Sequence, residues 1–230
     1  MSEIGNFYDF ESTYYDKIYG LFSQDISFYK AMEASPPYLE IFAGTGRIIS
    51  KFSHGIGLEI NPNMLRKTSN SFIKVMGDAR NLPFKRHFNT VIVGLNSLLL
   101  VPNDQKSLIF REARRVLNRN GVLFVDLING FILKRGVYNI SEFNDGRTMI
   151  SLKMKAKKIK NRYRLKYSYT IKGRSKRMVE KTITIYPITF GELREMLRSG
   201  DFRIEGVYGD YDLSPYNEDS EKLLVKARAV

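Results

Sequence analysis

A chain of 230 residues, 43% of them hydrophobic, is long enough for one large domain with an ample core. It has no cysteine and only two histidines, His54 and His87, which excludes disulfides, thiolate metal centres and histidine-rich metal sites. The net charge is +13, yet thirteen of the Lys and Arg residues lie between Lys153 and Lys181 with one acid among them, Glu180.

Met1 to Asp9 is polar and lacks the apolar core of a signal peptide. No apolar run approaches the roughly 20 residues needed to span a bilayer. A soluble, cytoplasmic protein is expected. Phe7 to Met32 reads as helical and rich in tyrosine, with Tyr15 and Tyr19 four apart on one face. Ser35-Pro36-Pro37 then delivers the chain into a first strand, Tyr38 to Phe42.

That strand ends in the stretch the rest is organised around, Glu40-Ile41-Phe42-Ala43-Gly44-Thr45-Gly46-Arg47, with a helix expected from Ile48 to Phe52. Strand, glycine-containing turn and helix together aim backbone N–H groups at whatever lies across the turn. Ala43, Gly44 and Gly46 let a ligand approach the backbone closely. A second strand, Ile56 to Ile60, carries Glu59 near its end, and Asn61-Pro62 caps a helix running to about Ser69. The third strand, Phe72 to Met76, ends at Gly77-Asp78-Ala79-Arg80. The fourth, Phe88 to Gly94, is nearly all apolar, as a strand covered on both faces should be, and runs out at Leu95-Asn96-Ser97. An amphipathic helix, Asp104 to Leu117, stops at Asn120-Gly121 before a fifth strand, Val122 to Ile128, which contains Asp126.

From about Tyr138 to Ile185 the period changes to two. Ile150, Leu152, Met154 and Ala156 face one way, and Lys153, Lys155 and Lys157 the other. This is an antiparallel sheet of three or four strands, with one apolar and one basic face. A capping box at Thr189 and Glu192 opens a last helix, and two strands follow, Phe202 to Tyr208 and Leu223 to Ala229. The whole reads as α/β: a doubly wound, mostly parallel seven-stranded sheet with an inserted antiparallel sheet. The expected organisation is one domain over 1–230, a helical lid over 1–35 and the basic inserted sheet over 138–186.

The spacing of acids suggests which nucleotide the turn holds. Glu59 lies nineteen residues after Glu40, where a carboxylate can accept both ribose hydroxyls, and Asp78 lies nineteen further on. The third glycine of a dinucleotide turn is replaced by Ile49, and no Gly-Lys-Ser/Thr loop is present, which disfavours NAD, FAD, ATP and GTP.

Five motifs in order carry a resemblance: Leu39 to Arg47, Gly57 to Leu65, Gly77 to Phe84, Phe88 to Val93 with Asn96-Ser97-Leu98-Leu99, and Arg114 to Leu117 with Asn120-Gly121. The sequence resembles the class I S-adenosylmethionine-dependent methyltransferases over nearly its whole length. Its tyrosine-rich start and inserted sheet look like the small-molecule branch, which includes glycine and amino-sugar N-methyltransferases. The resemblance implies a Rossmann-like methyltransferase fold and S-adenosyl-L-methionine as cofactor. Glu40, Phe42, Ala43, Gly44, Thr45 and Gly46 would then hold the methionine moiety. Glu59, next to Ile60, would bind the ribose. Asp78, next to Arg80, would accept from the adenine amino group, with Ala79 and Met64 packing on the ring. Gly94, Leu95 and Asn96 would pass under the sulfonium.

Phe42 stands where the family has its first glycine, so the turn is expected not to need positive φ there. The histidine some relatives carry after the Asn-Ser pair is replaced by Leu98 to Val101. Arg47 either holds an acidic group or caps the helix region. Tyr14 and Tyr19 are expected against the cofactor; Tyr15, Asn96 and Asp126 are expected against the substrate, with packing as the alternative for each. No catalytic residue is assigned and no metal is expected. The expected activity is methyl transfer to a small molecule, most simply at nitrogen, since a neutral amine needs no general base. An RNA methyltransferase using 153–181 to bind nucleic acid is the alternative, and a cofactor-binding protein without activity a further one. No membrane partner is expected. The inserted sheet also offers a surface for a homodimer.

Overall fold

The computed structural model describes residues 3–67, 71–130, 136–146 and 148–230. Three short helices come first: α1 (Glu3–Glu11), α2 (Tyr15–Tyr19) and α3 (Gln24–Ala31). The single helical region expected over Phe7 to Met32 is broken twice. Ser12 Oγ turns back onto the Asp9 carbonyl at 3.0 Å, and Gly20 caps α2.

Strand β1 (Tyr38–Ile41) is followed by one 3₁₀ turn, Ile49–Lys51, where a helix is expected from Ile48 to Phe52. After β2 (Gly55–Glu59), Asn61 accepts the N–H groups of Asn63 and Met64 and so caps α4 (Pro62–Arg66). The expected end of that helix, Ser69, lies outside the described residues. Next come β3 (Ile73–Met76), β4 (Phe88–Val93), α5 (Lys106–Val116) and β5 (Leu117–Ile128). Strand β5 starts earlier than expected because Leu117 already pairs with Phe88, ahead of a bulge.

The insertion supplies β6 (Gly136–Asp145), β7 (Thr148–Ile159), β8 (Arg162–Lys172) and β9 (Lys176–Ile185). Helix α6 (Phe190–Ser199) opens on the expected capping box, and β10 (Phe202–Tyr208) and β11 (Lys222–Ala229) complete the chain. The main sheet has the order β10-β11-β5-β4-β1-β2-β3. From β5 to β3 neighbours are parallel, and β11 is antiparallel to both β5 and β10. Strand order reverses between β1 and β4, and ligand crevices open beyond the carboxyl ends of the strands at such a point.

One layer of core lies between this sheet and α5 and α6, with Val91, Val93, Leu123, Val125, Ile109 and Leu193 fully buried. The other packs α3 onto Ile92, Phe124 and Leu224. The antiparallel sheet turns its apolar face, including Ile150, Leu152 and Ala156, toward α1. There Phe7 meets Tyr167 and Phe10 meets Tyr169, each pair with centroids 4.9 Å apart. Its other face is exposed and basic, with Lys155 directly opposite Lys166 and Lys157 opposite Arg164. The fully buried Lys106 Nζ donates to the carbonyls of Val101 and Tyr186 and to Asn103 Oδ1, at 2.8, 2.6 and 2.6 Å. It ties the loop after β4 to the segment returning from the insertion. No helix among the described residues is long and apolar enough to cross a membrane.

Candidate active site

A crevice of about 660 Å³ opens over the carboxyl ends of β1, β2 and β4, within the roughly 300–1,000 Å³ usual for small-molecule sites. Its floor includes Phe42, Gly44, Glu59 and Leu95; Met64, Asp78, Ala79 and Arg80 line one end. Helix α1 and the start of α2 form the roof through Ile4, Tyr8, Asp9 and Tyr15.

The turn after β1 is built on left-handed backbone: Phe42 has φ +63°, Gly44 +58° and Gly46 +80°. The expectation that Phe42 avoids positive φ is therefore wrong. The left-handed turn is made all the same, with phenylalanine in a conformation that costs an L-residue about 1–2 kcal/mol. Leu95 and Asn96 continue the pattern across the crevice, at φ +45° and +63°. Such strain concentrates at ligand sites. A Cβ on Gly44 would come within 3.2 Å of Met64 Cε and 4.0 Å of Tyr15 Cζ. The absent side chain leaves a slot between them. Gly46 is needed for packing instead, because a Cβ there would lie 2.1 Å from the Phe72 ring.

Glu59 is nearly buried at the end of β2. Its Oε2 accepts the Gly44 N–H at 2.9 Å and its Oε1 the Asn61 N–H at 2.8 Å. Burial raises its pKa, and these N–H groups oppose the rise. With the Ile60 N–H also on the carboxylate, one of its roughly four acceptor positions is left for a ligand hydroxyl. Glu40 lies outside the crevice wall, beneath the turn, where Oε2 accepts the Ile49 N–H at 2.9 Å. Burial pushes it up to about 8. Asp78 lies against the Arg80 guanidinium, 3.0 and 3.1 Å from Nε, which lowers its pKa.

Two latches hold the roof. Asp9 Oδ1 accepts from Asn61 Nδ2 at 2.9 Å and from Asn63 Nδ2 at 2.8 Å. Asp16 Oδ1 accepts from Thr45 Oγ1 at 2.5 Å.

Several residues expected at the site have other partners. Arg47 makes a two-pronged ion pair with Asp25 of α3, which is fully buried, and donates to the Phe22 carbonyl at 2.6 Å. The acidic group it holds is thus the chain's own. Asn96 Oδ1 accepts the Ile128 N–H, fastening β5 to the end of β4. Asp126 is sealed beneath α3, where Oδ2 accepts from Tyr211 at 2.7 Å and Tyr29 at 3.2 Å. Tyr14 turns to the inserted sheet and stacks on Tyr169 at 6.1 Å. Tyr19 packs on Tyr15, with centroids 4.8 Å apart. Ala43, Thr45, Gly46 and Gly94 shape the turn and strand end but do not line the crevice. Ile60 does, and so do Tyr8, Asp9, Asn61 and Ser97, which sequence reasoning missed. The spacing of Ile4 and Tyr8 on one helix face could have marked the roof.

These residues fit an adenosine carrying a charged amino-acid arm. Glu59 offers carboxylate oxygens to the crevice, Asp78 stands one strand further on, and Met64 and Ala79 supply apolar surface. The slot over Gly44 is open only because that residue has no side chain.

Comparison with known proteins agrees. Residues 39–125 match the family model described as a methyltransferase domain. A curated relative, an uncharacterized protein of Methanocaldococcus jannaschii, is 34% identical over 93 residues; these are 40% of this chain and 44% of that protein. The chain thus matches less than half of that relative's length. The CcbJ methyltransferase of Streptomyces caelestis superposes with a TM-score of 0.80 at 18% identity, covering 100% of both chains. CalS10 of Micromonospora echinaspora, an amino pentose methyltransferase solved with S-adenosylmethionine bound, gives 0.74 at 14% identity, covering 92% of this chain and 90% of its own. At these identities the superpositions establish the shared fold.

Proposed function

We infer that this chain, which matches a methyltransferase domain over 39–125 and shares the fold of S-adenosylmethionine-dependent methyltransferases, methylates a nitrogen of a small-molecule acceptor. The observation that carries this reading is the crevice itself. Acidic side chains stand at the ends of the consecutive strands β2 and β3, the Gly44 slot lies beyond Glu59 at the end of β1, and a tyrosine-lined helix roofs the reacting end.

The cofactor supplies an electrophilic methyl group on a sulfonium whose departing thioether is a good leaving group. The protein's part is to hold, orient and exclude water. Glu59 would hold the ribose, Asp78 would accept from the adenine amino group, and Met64 and Ala79 would pack on the ring. Tyr8 and Tyr15 close the crevice over Gly44. An amine lone pair forms the N–C bond while the C–S electron pair stays on sulfur; positive charge passes to nitrogen, and a proton leaves nitrogen afterwards. Both histidines precede their strands, at the amino ends of β2 and β4, and no imidazole base lines the crevice among the described residues. That favours nitrogen over oxygen as the acceptor atom. The resemblance of the fold to an amino pentose methyltransferase supports an amine-bearing small molecule.

The test is methyl transfer from S-adenosylmethionine over a panel of amino sugars, amino acids and their hydroxyl counterparts, read by mass spectrometry. A gain of one methylene mass on amines alone is expected. Methylation confined to hydroxyl counterparts would overturn the assignment to nitrogen.

A second reading rests on the exposed face of the inserted sheet. Like charges directly opposite, Lys155 with Lys166 and Lys157 with Arg164, are unfavourable unless an anion covers them. An RNA acceptor would show methyl incorporation into RNA and binding that weakens steeply with salt.

A further inference from the structure

Glu11 is a buried carboxylate in the lid. It ends α1, it is 2% exposed, and its Oε1 accepts from the Tyr169 hydroxyl at 3.3 Å. An isolated carboxylate is expensive to bury unless a cation compensates it. Here none does among the described residues. Burial pushes Glu11 up to about 8, and only the Tyr169 hydroxyl opposes the shift. The nearby cations are engaged elsewhere: Lys17 pairs with Asp145, and Lys181 donates to Asn6 and lies 5.4 Å from the Phe10 ring.

Phenols surround this carboxylate. Burial raises the pKa of Tyr8 on α1, of Tyr15 and Tyr19 on α2, and of Tyr167 and Tyr169 on β8, and the charge of Glu11 adds to the rise in each. Tyr8, Tyr15, Tyr19 and Tyr167 act on one another too. Tyr8 and Tyr15 line the crevice, whereas Glu11, three residues after Tyr8 on α1, and Tyr19, packed on Tyr15, do not. Across the crevice, the same two tyrosines feel Glu59, and Tyr15 also feels Glu40 and Arg47. Aromatic rings backed by a negative charge are the chemistry that binds organic ammonium ions.

We propose that Tyr8 and Tyr15, with Glu11 behind them, form an ammonium subsite that receives the nitrogen end of the acceptor and supplies its counter-charge. The assignment of this site to the acceptor rests on the methyl-transfer reading. The site itself does not, because its charge preference is measurable without the cofactor. The bound ammonium gives up its proton to solvent before the nitrogen lone pair forms the N–C bond and the C–S pair leaves with sulfur; the positive charge that returns to nitrogen again faces the carboxylate. Glu11 acts here as a positioning residue, through the tyrosines. The acceptor it selects is an amine that binds as its ammonium ion.

Choline and its uncharged isostere 3,3-dimethylbutanol separate charge from shape. The chain has fourteen tyrosines and no tryptophan, so tyrosine fluorescence and calorimetry both report on the site. Wild-type protein is expected to bind choline at least tenfold more tightly than the alcohol, with or without S-adenosylhomocysteine. Choline keeps its charge at every pH, so a preference that fades from pH 9 to pH 6 reports protonation of Glu11. The other acid facing this pair of tyrosines across the crevice, Glu59, is present in every variant and serves as the control. Glu11→Gln should abolish both the preference and its pH dependence, and Glu11→Asp should restore part of the preference. Equal binding of the two probes to wild-type protein, or a preference that survives in Glu11→Gln, would overturn the proposal. Absence of S-adenosylhomocysteine binding would sink the methyl-transfer reading instead, with the probe comparison still deciding the site.

Discussion

Breaking the Asp25–Arg47 pair tests how the nucleotide turn is held. Asp25 is fully buried and the Arg47 side chain is 5% exposed, so water cannot replace a lost partner. Arg47 Nε already lacks a hydrogen bond. In Asp25→Ala the guanidinium would keep only the Phe22 carbonyl. Removing one member of a buried pair costs about 3–5 kcal/mol, whereas replacing both by apolar residues is often close to neutral. For a chain of this size the single variant should therefore melt about 6–20 °C lower. The pair Asp25→Leu with Arg47→Met should recover most of that loss. Urea denaturation of wild type, both single variants and the double variant at pH 7 gives the cycle. Single variants within about 1 kcal/mol of wild type, or losses that simply add in the double variant, would refute the reasoning. The double variant should also keep its affinity for S-adenosylhomocysteine, because Arg47 acts as an internal brace in this structure.

Gly44→Ala should cost about 1–2 kcal/mol through its left-handed backbone and weaken cofactor binding by filling the slot. Gly46→Ala should be the more destabilising of the two in the same urea titration, since its Cβ meets the Phe72 ring at 2.1 Å. Asn61→Ala removes the cap of α4 and one half of the Asp9 latch, and should lower stability by about 0.5–2 kcal/mol; hydrogen exchange at α1 should speed up with it. Glu40 is held to about 8 by burial, above its usual value, so the native state binds that proton more tightly than the unfolded chain. Stability should fall between about pH 4.5 and 8 and level off above, and Glu40→Gln should make the urea midpoint less sensitive to pH over that window.

Much of the sheet was legible because its signals are local. Apolar runs mark β1, β2 and β4. Asn61-Pro62 and the Thr189–Glu192 box mark helix starts whose caps are present. Period-two alternation marked the inserted sheet, although not its number of strands. Glu59 and Asp78 could be placed by spacing alone, since both end strands of one parallel sheet.

What stayed hidden is long-range. Arg47 finds Asp25 twenty-two residues away, and nothing near Arg47 announces it. The roof over the crevice depends on Asp9 reaching Asn61 and Asn63, more than fifty residues on. Glu11 closes an amphipathic helix and reads as a solvated acid until β8 covers it with Tyr169, 158 residues later. Phe42 misled for a different reason. Residue preference argued against positive φ, but the geometry of the turn prevailed.

Titration calorimetry of S-adenosylmethionine into wild-type protein and Glu59→Ala tests the central claim most directly. One site per chain is expected, and the variant should bind at least tenfold more weakly with its fold intact by circular dichroism, because a ribose contact of about 1.5–3 kcal/mol is lost. No binding to wild-type protein, or equal affinity in the variant, would contradict the account.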